Sequence, residues 1–175
     1  SGAAVIRTSG FLFGGPGSSS APTVSDNGRF VAFSSYASNL VAGDTNDRPD
    51  VFVFDRQTQT IERVSVASDK TPANGYSEYP SISRDGRFVA FSSTATNLVP
   101  TDANGISDVF VRDRLLNANE LVSLSSGGTQ ANGISRRPSL SGDGRYVTFE
   151  STATNLVTGD SNGVSDIFVY DRQTD

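Results

Sequence analysis

The chain is built from one 58-residue unit that occurs three times in succession, and this repeat constrains the fold more than any other feature. Residues 93–99 are identical to residues 151–157. The same 58-residue spacing relates prolines, glycines and asparagines: Pro22, Pro80 and Pro138; Gly28, Gly86 and Gly144; Asn39, Asn97 and Asn155. Because each unit of such an array is one supersecondary structure that buries its apolar face against a neighbour, the repeat predicts a modular fold.

Each unit contains four predicted strands, which we call A to D. In the second unit they cover residues 80–83, 87–92, 108–113 and 120–125. Asp85-Gly86 between strands A and B is typical of a tight hairpin turn, because glycine accepts positive φ. Strands B and C are apolar on both faces, whereas strand D alternates apolar and polar residues. We therefore expect the middle strands to be buried on both sides and the outermost strand to have one wet side.

This pattern predicts an all-β fold, a β-propeller of four-stranded antiparallel blades with three blades per chain. A β-sandwich would predict alternation in nearly every strand. Two motifs carry a family resemblance: P-S-[IL]-S-x-D-G-R-[FY]-V-x-F at 80–91 and 138–149, and S-D-[VI]-F-V-x-D-R at 107–114 and 165–172. With them, residues 22–175 resemble the TolB-like, WD-type propeller repeats of bacteria. The resemblance implies a periplasmic or extracellular location. It implies no single function, because that family includes partner-binding propellers and the propeller gates of serine peptidases.

The repeat also predicts how the chain divides and assembles. We assign residues 21–78 to blade 1, residues 79–136 to blade 2, and residues 137–175 to a blade 3 without its own strand D. Residues 1–20 are predicted to hold that outer strand, at residues 3–8, and a loop. Propellers have roughly 4–8 blades, so we predict a six-bladed C₂ homodimer in which each N-terminal strand closes the partner's last blade. The alternative is a piece of a longer multi-blade protein.

The long loops between strands B and C carry closely spaced oxygen ligands and are candidate Ca²⁺ sites. They resemble the tail of the calcium loops in integrin-type propellers, although the first aspartate of that motif is missing. The alternative is that these side chains only stabilise turns. The predicted metal ligands are Asp44, Asn46 and Asp50 in blade 1, Asp102, Asn104 and Asp108 in blade 2, and Asp160, Asn162 and Asp166 in blade 3.

The composition and the repeat favour a binding scaffold over an enzyme. The chain has no Cys and no His, which excludes thiol chemistry, His-based triads and the usual zinc sites. Its net charge of −5 disfavours nucleic acid as a partner, and no apolar run is long enough for membrane insertion. The Asp-Arg pairs of the C–D turns recur in every unit, so we interpret them as turn and inter-blade pairing groups: Asp55-Arg56, Asp113-Arg114 and Asp171-Arg172.

Residues that depart from the repeat are the candidates for binding a protein, peptide or glycan. We expect this ligand on the face formed by the long B–C and D–A loops. The candidate residues are Phe11, Phe13, Tyr36, Arg136 and Arg137. Two alternatives stay open: an enzyme of glycosidase or lyase type that uses Glu150 and a loop carboxylate, and a purely self-assembling structural or engineered repeat protein.

Overall fold

The computed structural model describes residues 17–174, and it contains three antiparallel β-sheets packed face to face. Blade 1 has the strand order β1-β2-β3-β4, blade 2 the order β5-β6-β7-β8, and blade 3 the order β9-β10-β11. The predicted antiparallel blades are confirmed. The strands are β1 Ser19–Val24, β2 Phe30–Ser35, β3 Asp50–Asp55, β4 Thr60–Arg63, β5 Ser77–Ile82, β6 Phe88–Ser93, β7 Asp108–Asp113, β8 Ala118–Leu121, β9 Ser135–Leu140, β10 Tyr146–Ser151 and β11 Asp166–Asp171.

The core lies between the blades. Val51 and Val53 of β3 pack against Phe91 and Phe110 of blade 2, and every residue of β3 is buried. Blade 2 packs on blade 3 in the same way, and β7 is also buried throughout. Each blade stacks a phenylalanine of its second strand on one of its third strand, with ring centroids 5.8–6.1 Å apart. Apolar residues on both faces of the middle strands thus produce stacked sheets with dry interfaces.

The outermost strand differs from its prediction. β4 and β8 end at Arg63 and Leu121, and the chain then turns inward. Ser65 and Ser123, which we expected on a wet face, are fully buried. Their hydroxyls donate to carboxylate oxygens of Asp50 and Asp108 at 2.5 and 2.6 Å. The prediction of a wet side was wrong here, because an alternating serine that is buried against a carboxylate looks the same in sequence as a solvated one.

The innermost strands are bulged. β1, β5 and β9 begin at residues 19, 77 and 135, so the predicted blade boundaries at 21, 79 and 137 fall inside these strands. At those three positions Ala21, Tyr79 and Arg137 have positive φ angles of 49°, 55° and 51°. The pairing of each inner strand with its neighbour shifts there, which is the signature of a β-bulge.

The N-terminal elements of the prediction lie outside the described residues. These are the outer strand at residues 3–8 and the two loop phenylalanines, Phe11 and Phe13. Within residues 17–174, no helix is long and apolar enough to cross a membrane.

Candidate functional site

The contact between blades 1 and 2 centres on the arginine of the C–D turn in blade 2. The Arg114 guanidinium lies over the Phe30 ring, 4.6 Å from its centroid. It also donates to the carbonyl oxygen of Gly86 and pairs with the carboxylate of Glu62. Gly86 itself faces the same ring, and a Cβ at this position would lie 2.1 Å from Cδ2 of Phe30. One arginine therefore links a turn of blade 2 to two strands of blade 1.

The contact between blades 2 and 3 repeats this arrangement. Arg172 lies 4.5 Å from the centroid of the Phe88 ring, donates to the Gly144 carbonyl oxygen at 2.5 Å and pairs with Glu120 at 2.7 Å. The predicted inter-blade role of the turn arginines is confirmed at both interfaces. A cation held between an aromatic face and a carboxylate is a directional contact, so it fixes how one blade sits on the next.

The aspartate of each turn pair closes its own blade. Each accepts hydrogen bonds from the arginine that follows the A–B turn: Arg29–Asp55 at 2.7 Å, Arg87–Asp113 at 2.6 Å and Arg145–Asp171 at 2.6 Å. The hydrogen bond from Arg29 holds the pKa of Asp55 well below its ordinary value. Burial acts to raise the pKa of Asp113, but hydrogen bonds from Arg87 and two backbone amides outweigh it and lower that pKa. These carboxylates therefore have a structural role within each blade, as predicted.

Blade 3 presents an open apolar face. Ile167 and Val169 on β11 are 70% and 67% exposed. The equivalent valines of blades 1 and 2 are at most 1% exposed, because the next blade covers them: Val51, Val53, Val109 and Val111. Within the described residues, β11 pairs with β10 alone. Adjacent exposed β-branched residues on a sheet face and an open sheet edge mark an interaction surface.

The two ends of the blade series carry matching halves of the repeated contact. Tyr146 of blade 3 occupies the position of Phe30 and Phe88, and this residue is 40% exposed. Arg56 of blade 1 occupies the position of Arg114 and is exposed. Gly28, the equivalent of Gly86, has only the Arg56 side chain near the place of a Cβ, at 3.5 Å. The aromatic half of the next contact lies at one end of the series, and the arginine half lies at the other.

In blade 1 the predicted metal ligands are engaged by protein donors. Arg63 Nη1 lies 3.3 Å from the Asp44 carboxylate and 3.0 Å from that of Asp50. The Asn46 amide nitrogen donates to Asp50, and its oxygen accepts from the backbone N–H of Arg48. One guanidinium therefore pairs with both carboxylates of this loop, and the asparagine oxygen stabilises a turn. This arrangement does not fit a calcium site.

Blade 2 has the same acids without the cation. Leu121 stands at the position of Arg63, and the Gln130 amide nitrogen bridges Asp102 and Asp108 at 2.9 Å from each. Asp102 is 8% exposed, and its Oδ2 is buried with no hydrogen-bond partner in the described part of the chain. Burial raises the pKa of Asp108. Asn104 accepts from the backbone N–H of Ile106, as Asn46 does from that of Arg48.

The loop of blade 3 is the most open of the three. Asn162 donates to Asp166 at 2.9 Å and accepts from the Val164 N–H, while Asp160 is half-buried. Across residues 17–174, no three acidic side chains come close enough together to form a metal-binding group. The sequence motif thus gives three different environments, which the residues facing each loop determine.

Repeat-breaking residues meet on β5 of blade 2 and on β9 and β10 of blade 3. Glu150 lies between Arg136 and Arg137, with N···O distances of 3.3 and 3.4 Å. The Arg137 guanidinium is 5.7 Å from the centroid of the Tyr79 ring. Sequence analysis missed Tyr79, although a tyrosine at the repeat position of Ala21 and Arg137 was a usable signal. We name these four residues the inner cluster; Tyr36 is exposed but lies apart, just beyond β2 in blade 1.

The inner cluster lies at the end of the blades where the B–C and D–A loops emerge. Arg136 is next to the first residue of β9, and Glu150 is next to the last residue of β10. The bulge at Tyr79 and Arg137 gives these side chains a direction that a regular strand would not give them. The cluster combines exposed aromatic and cationic groups, which suit recognition of a polar ligand.

Known structures with the same architecture identify the fold. No protein-family profile matches the sequence, and no curated protein is similar enough to count as a relative. Similar structures include TolB from Acinetobacter baumannii, at 21% identity over 88% of this chain and 30% of that chain, with a TM-score of 0.54. A TolB structure from Agrobacterium tumefaciens is 16% identical over 86% of this chain and 44% of that chain, with a TM-score of 0.55. The acylaminoacyl peptidase of Pyrococcus horikoshii is 14% identical over 90% of this chain and 23% of that chain, with a TM-score of 0.53.

The chain spans less than half the length of each of these proteins. At such identities the likeness concerns the fold alone and carries no activity or ligand to this chain. The repeat, the stacked antiparallel sheets and these structural neighbours agree with one another. The chain has the TolB-like β-propeller fold.

Proposed function

We propose that the chain is a non-catalytic binding propeller whose ring is completed by a second copy of itself. The observation that carries this proposal is the exposure of Ile167 and Val169, whose counterparts in both other blades are buried. A further blade would cover them, and Tyr146 would then meet the arginine of that blade's C–D turn. Blade 1 offers such an arginine, Arg56. In a pair of copies, blade 3 of each chain supplies the aromatic half of a missing contact, and blade 1 of the other chain supplies the arginine half. The resulting ring has six blades.

The proposed ligand site is the inner cluster, on the face of the B–C and D–A loops. Arg136, Arg137 and Tyr79 are exposed there, and two arginines share one glutamate, so the cluster has an excess of positive charge. This chemistry suits a protein, peptide or glycan that presents an acidic group. Glu150, the acid considered for glycosidase or lyase chemistry, is held between the two arginines. This pairing is a second support for a non-catalytic role. The family resemblance suggests the periplasm or the cell exterior as the location.

Peptide and glycan arrays test the binding proposal. We expect the wild-type chain to capture acidic peptides or glycans, and the double variant Arg136→Ala with Arg137→Ala to lose at least tenfold in affinity, because each charged hydrogen bond contributes about 1.5–3 kcal/mol. Arg84→Ala is the control, because Arg84 is an exposed arginine at the opposite, A–B end of blade 2. Equal binding by the double variant and the wild type would contradict this site.

Among the described B–C loops, only that of blade 2 is proposed to bind Ca²⁺. Two buried carboxylates face each other across one amide, and within residues 17–174 one oxygen of Asp102 has no hydrogen-bond partner. In blade 1, the guanidinium of Arg63 pairs with the corresponding acids. Buried acids without a cation are costly, and Ca²⁺ prefers carboxylate and amide oxygens. A 180° rotation of the Gln130 carboxamide would exchange its nitrogen and oxygen. The oxygen would then lie between the two carboxylates as a further ligand.

Thermal unfolding with Ca²⁺ and with chelator tests the cation. We expect millimolar Ca²⁺ to raise the wild-type Tm by a few degrees, because a ligand that binds only the folded state stabilises it. Asp102→Asn should abolish the rise. Arg63→Leu, which gives blade 1 the leucine of blade 2, should create a second calcium response. A rise of the same size in Asp102→Asn, or no rise in the wild type, would rule out this site.

A further inference from the structure

Arg112 is a buried cation in the middle of β7. Blade 1 has Phe54 at this repeat position and blade 3 has Tyr170, so the arginine departs from the repeat. It is 3% exposed. A charged group in the interior is usually paired with an opposite charge, since moving an ion out of water is costly. A lone guanidinium at a position that is otherwise aromatic therefore calls for a partner.

In the part of the chain that the structure describes, the hydrogen-bond partners of Arg112 are all neutral. Its Nη1 lies 3.4 Å from the carbonyl oxygens of Val66 and Ala67 and from Oδ1 of Asn119. Its Nη2 lies 3.2 Å from Oδ1 of Asn117. All four distances are long for a guanidinium. Among residues 17–174, no carboxylate forms an ion pair with it. Burial lowers the pKa of Arg112 from its ordinary value and outweighs the opposing effect of the Glu62 and Asp113 charges.

Arg112 lines a cavity of about 210 Å³ between the outer strand of blade 1 and blade 2. The cavity wall also includes Lys70, Arg63, Arg114 and Glu62. Arg63 is paired with the loop acids of blade 1, and Arg114 is paired with Glu62. Arg112 and Lys70 are then the lining cations that form no ion pair in the described chain. The cavity wall thus has four cationic groups and one acid.

We propose that this inter-blade cavity binds a small oxyanion, a carboxylate or a phosphate, between Arg112 and Lys70. The planar guanidinium matches two oxygens of such a group, and the lysine ammonium adds a second positive charge. The site lies within one chain and is separate from the inner cluster and from the open face of blade 3. Its occupation therefore does not depend on the ring or on the proposed ligand face.

The test is thermal unfolding in chloride, acetate and inorganic phosphate at equal ionic strength. We expect phosphate or acetate to raise the wild-type Tm by about 5–10 °C at roughly one hundred times Kd. Arg112→Phe should fold, because blade 1 has phenylalanine at this position, and it should keep only the small general rise in Tm that phosphate causes by exclusion from protein surfaces. Lys70→Ala should respond more weakly, and Arg84→Ala should respond like the wild type.

The anions distinguish the source of the ligand. A response to phosphate alone identifies a phosphate group, a response to acetate alone identifies a carboxylate, and a response to both identifies a general oxyanion site; each result supports the proposal. In chloride, the Tm of Arg112→Phe should equal or exceed that of the wild type, because an unpaired buried charge has been removed. An equal anion response in Arg112→Phe, or no response in the wild type, would overturn it.

Discussion

Gly86→Ala is expected to lower the free energy of unfolding by about 2–5 kcal/mol, the sum of a backbone cost and a packing cost. Gly86 has a φ of +76°, where a side chain costs about 1–2 kcal/mol. In addition, its new Cβ would meet the Phe30 ring of blade 1 at 2.1 Å. Forcing an extra methyl group into a packed interface costs about 1–3 kcal/mol more. Urea unfolding measures the sum.

Gly43→Ala is the matched control, because Gly43 has the same φ of +76° and no atom lies within 4 Å of the place of its Cβ. It should show the backbone cost alone. Gly144→Ala should behave like Gly86→Ala, since its Cβ would meet the Phe88 ring at 2.4 Å. If all three variants lost the same stability, the tight approach of turn and ring between blades would be wrong.

The double variant Ile167→Lys with Val169→Lys is expected to weaken self-association by at least a hundredfold while the chain stays folded. Burying a side chain of this size contributes about 1.5–3 kcal/mol, and each 1.4 kcal/mol is a factor of about ten. The two lysines would also place charges in the proposed interface. Sedimentation over a concentration series measures the dissociation constant.

Two controls separate the interface from the fold. Leu116→Lys changes an exposed leucine in the C–D turn of blade 2, which has a blade on each side, and should leave association unchanged. Val109→Lys changes the buried counterpart of Ile167 in blade 2 and should unfold the chain. Retained self-association in the double variant would show that another surface joins the copies.

The blades were predictable because their signals are local and repeated. Continuous apolar runs at strands B and C predicted sheets that are dry on both sides, and β3 and β7 are buried throughout. The recurrence of Arg114 and Arg172 in every unit predicted an architectural role, and both arginines join two blades. A property that occurs three times in the sequence reflects a requirement that every blade shares.

The differences between equivalent sites were not predictable, since they depend on residues far along the chain. The loop acids look alike in sequence, yet Arg63 faces those of blade 1 and Gln130 faces those of blade 2. The buried serine at position 65 looked solvated for the same reason: its carboxylate partner is 15 residues away. Tyr79 visibly departs from the repeat, but the bulge that brings its side chain into the inner cluster has no local sequence signal.

The mass of the wild-type chain in solution tests the central claim most directly. If exposed blade faces complete a ring between two copies, the mass equals twice the 18.4 kDa of one chain, and it falls to one chain mass in the Ile167→Lys and Val169→Lys double variant. A wild-type chain that stays at 18.4 kDa at every concentration up to the millimolar range would contradict the account.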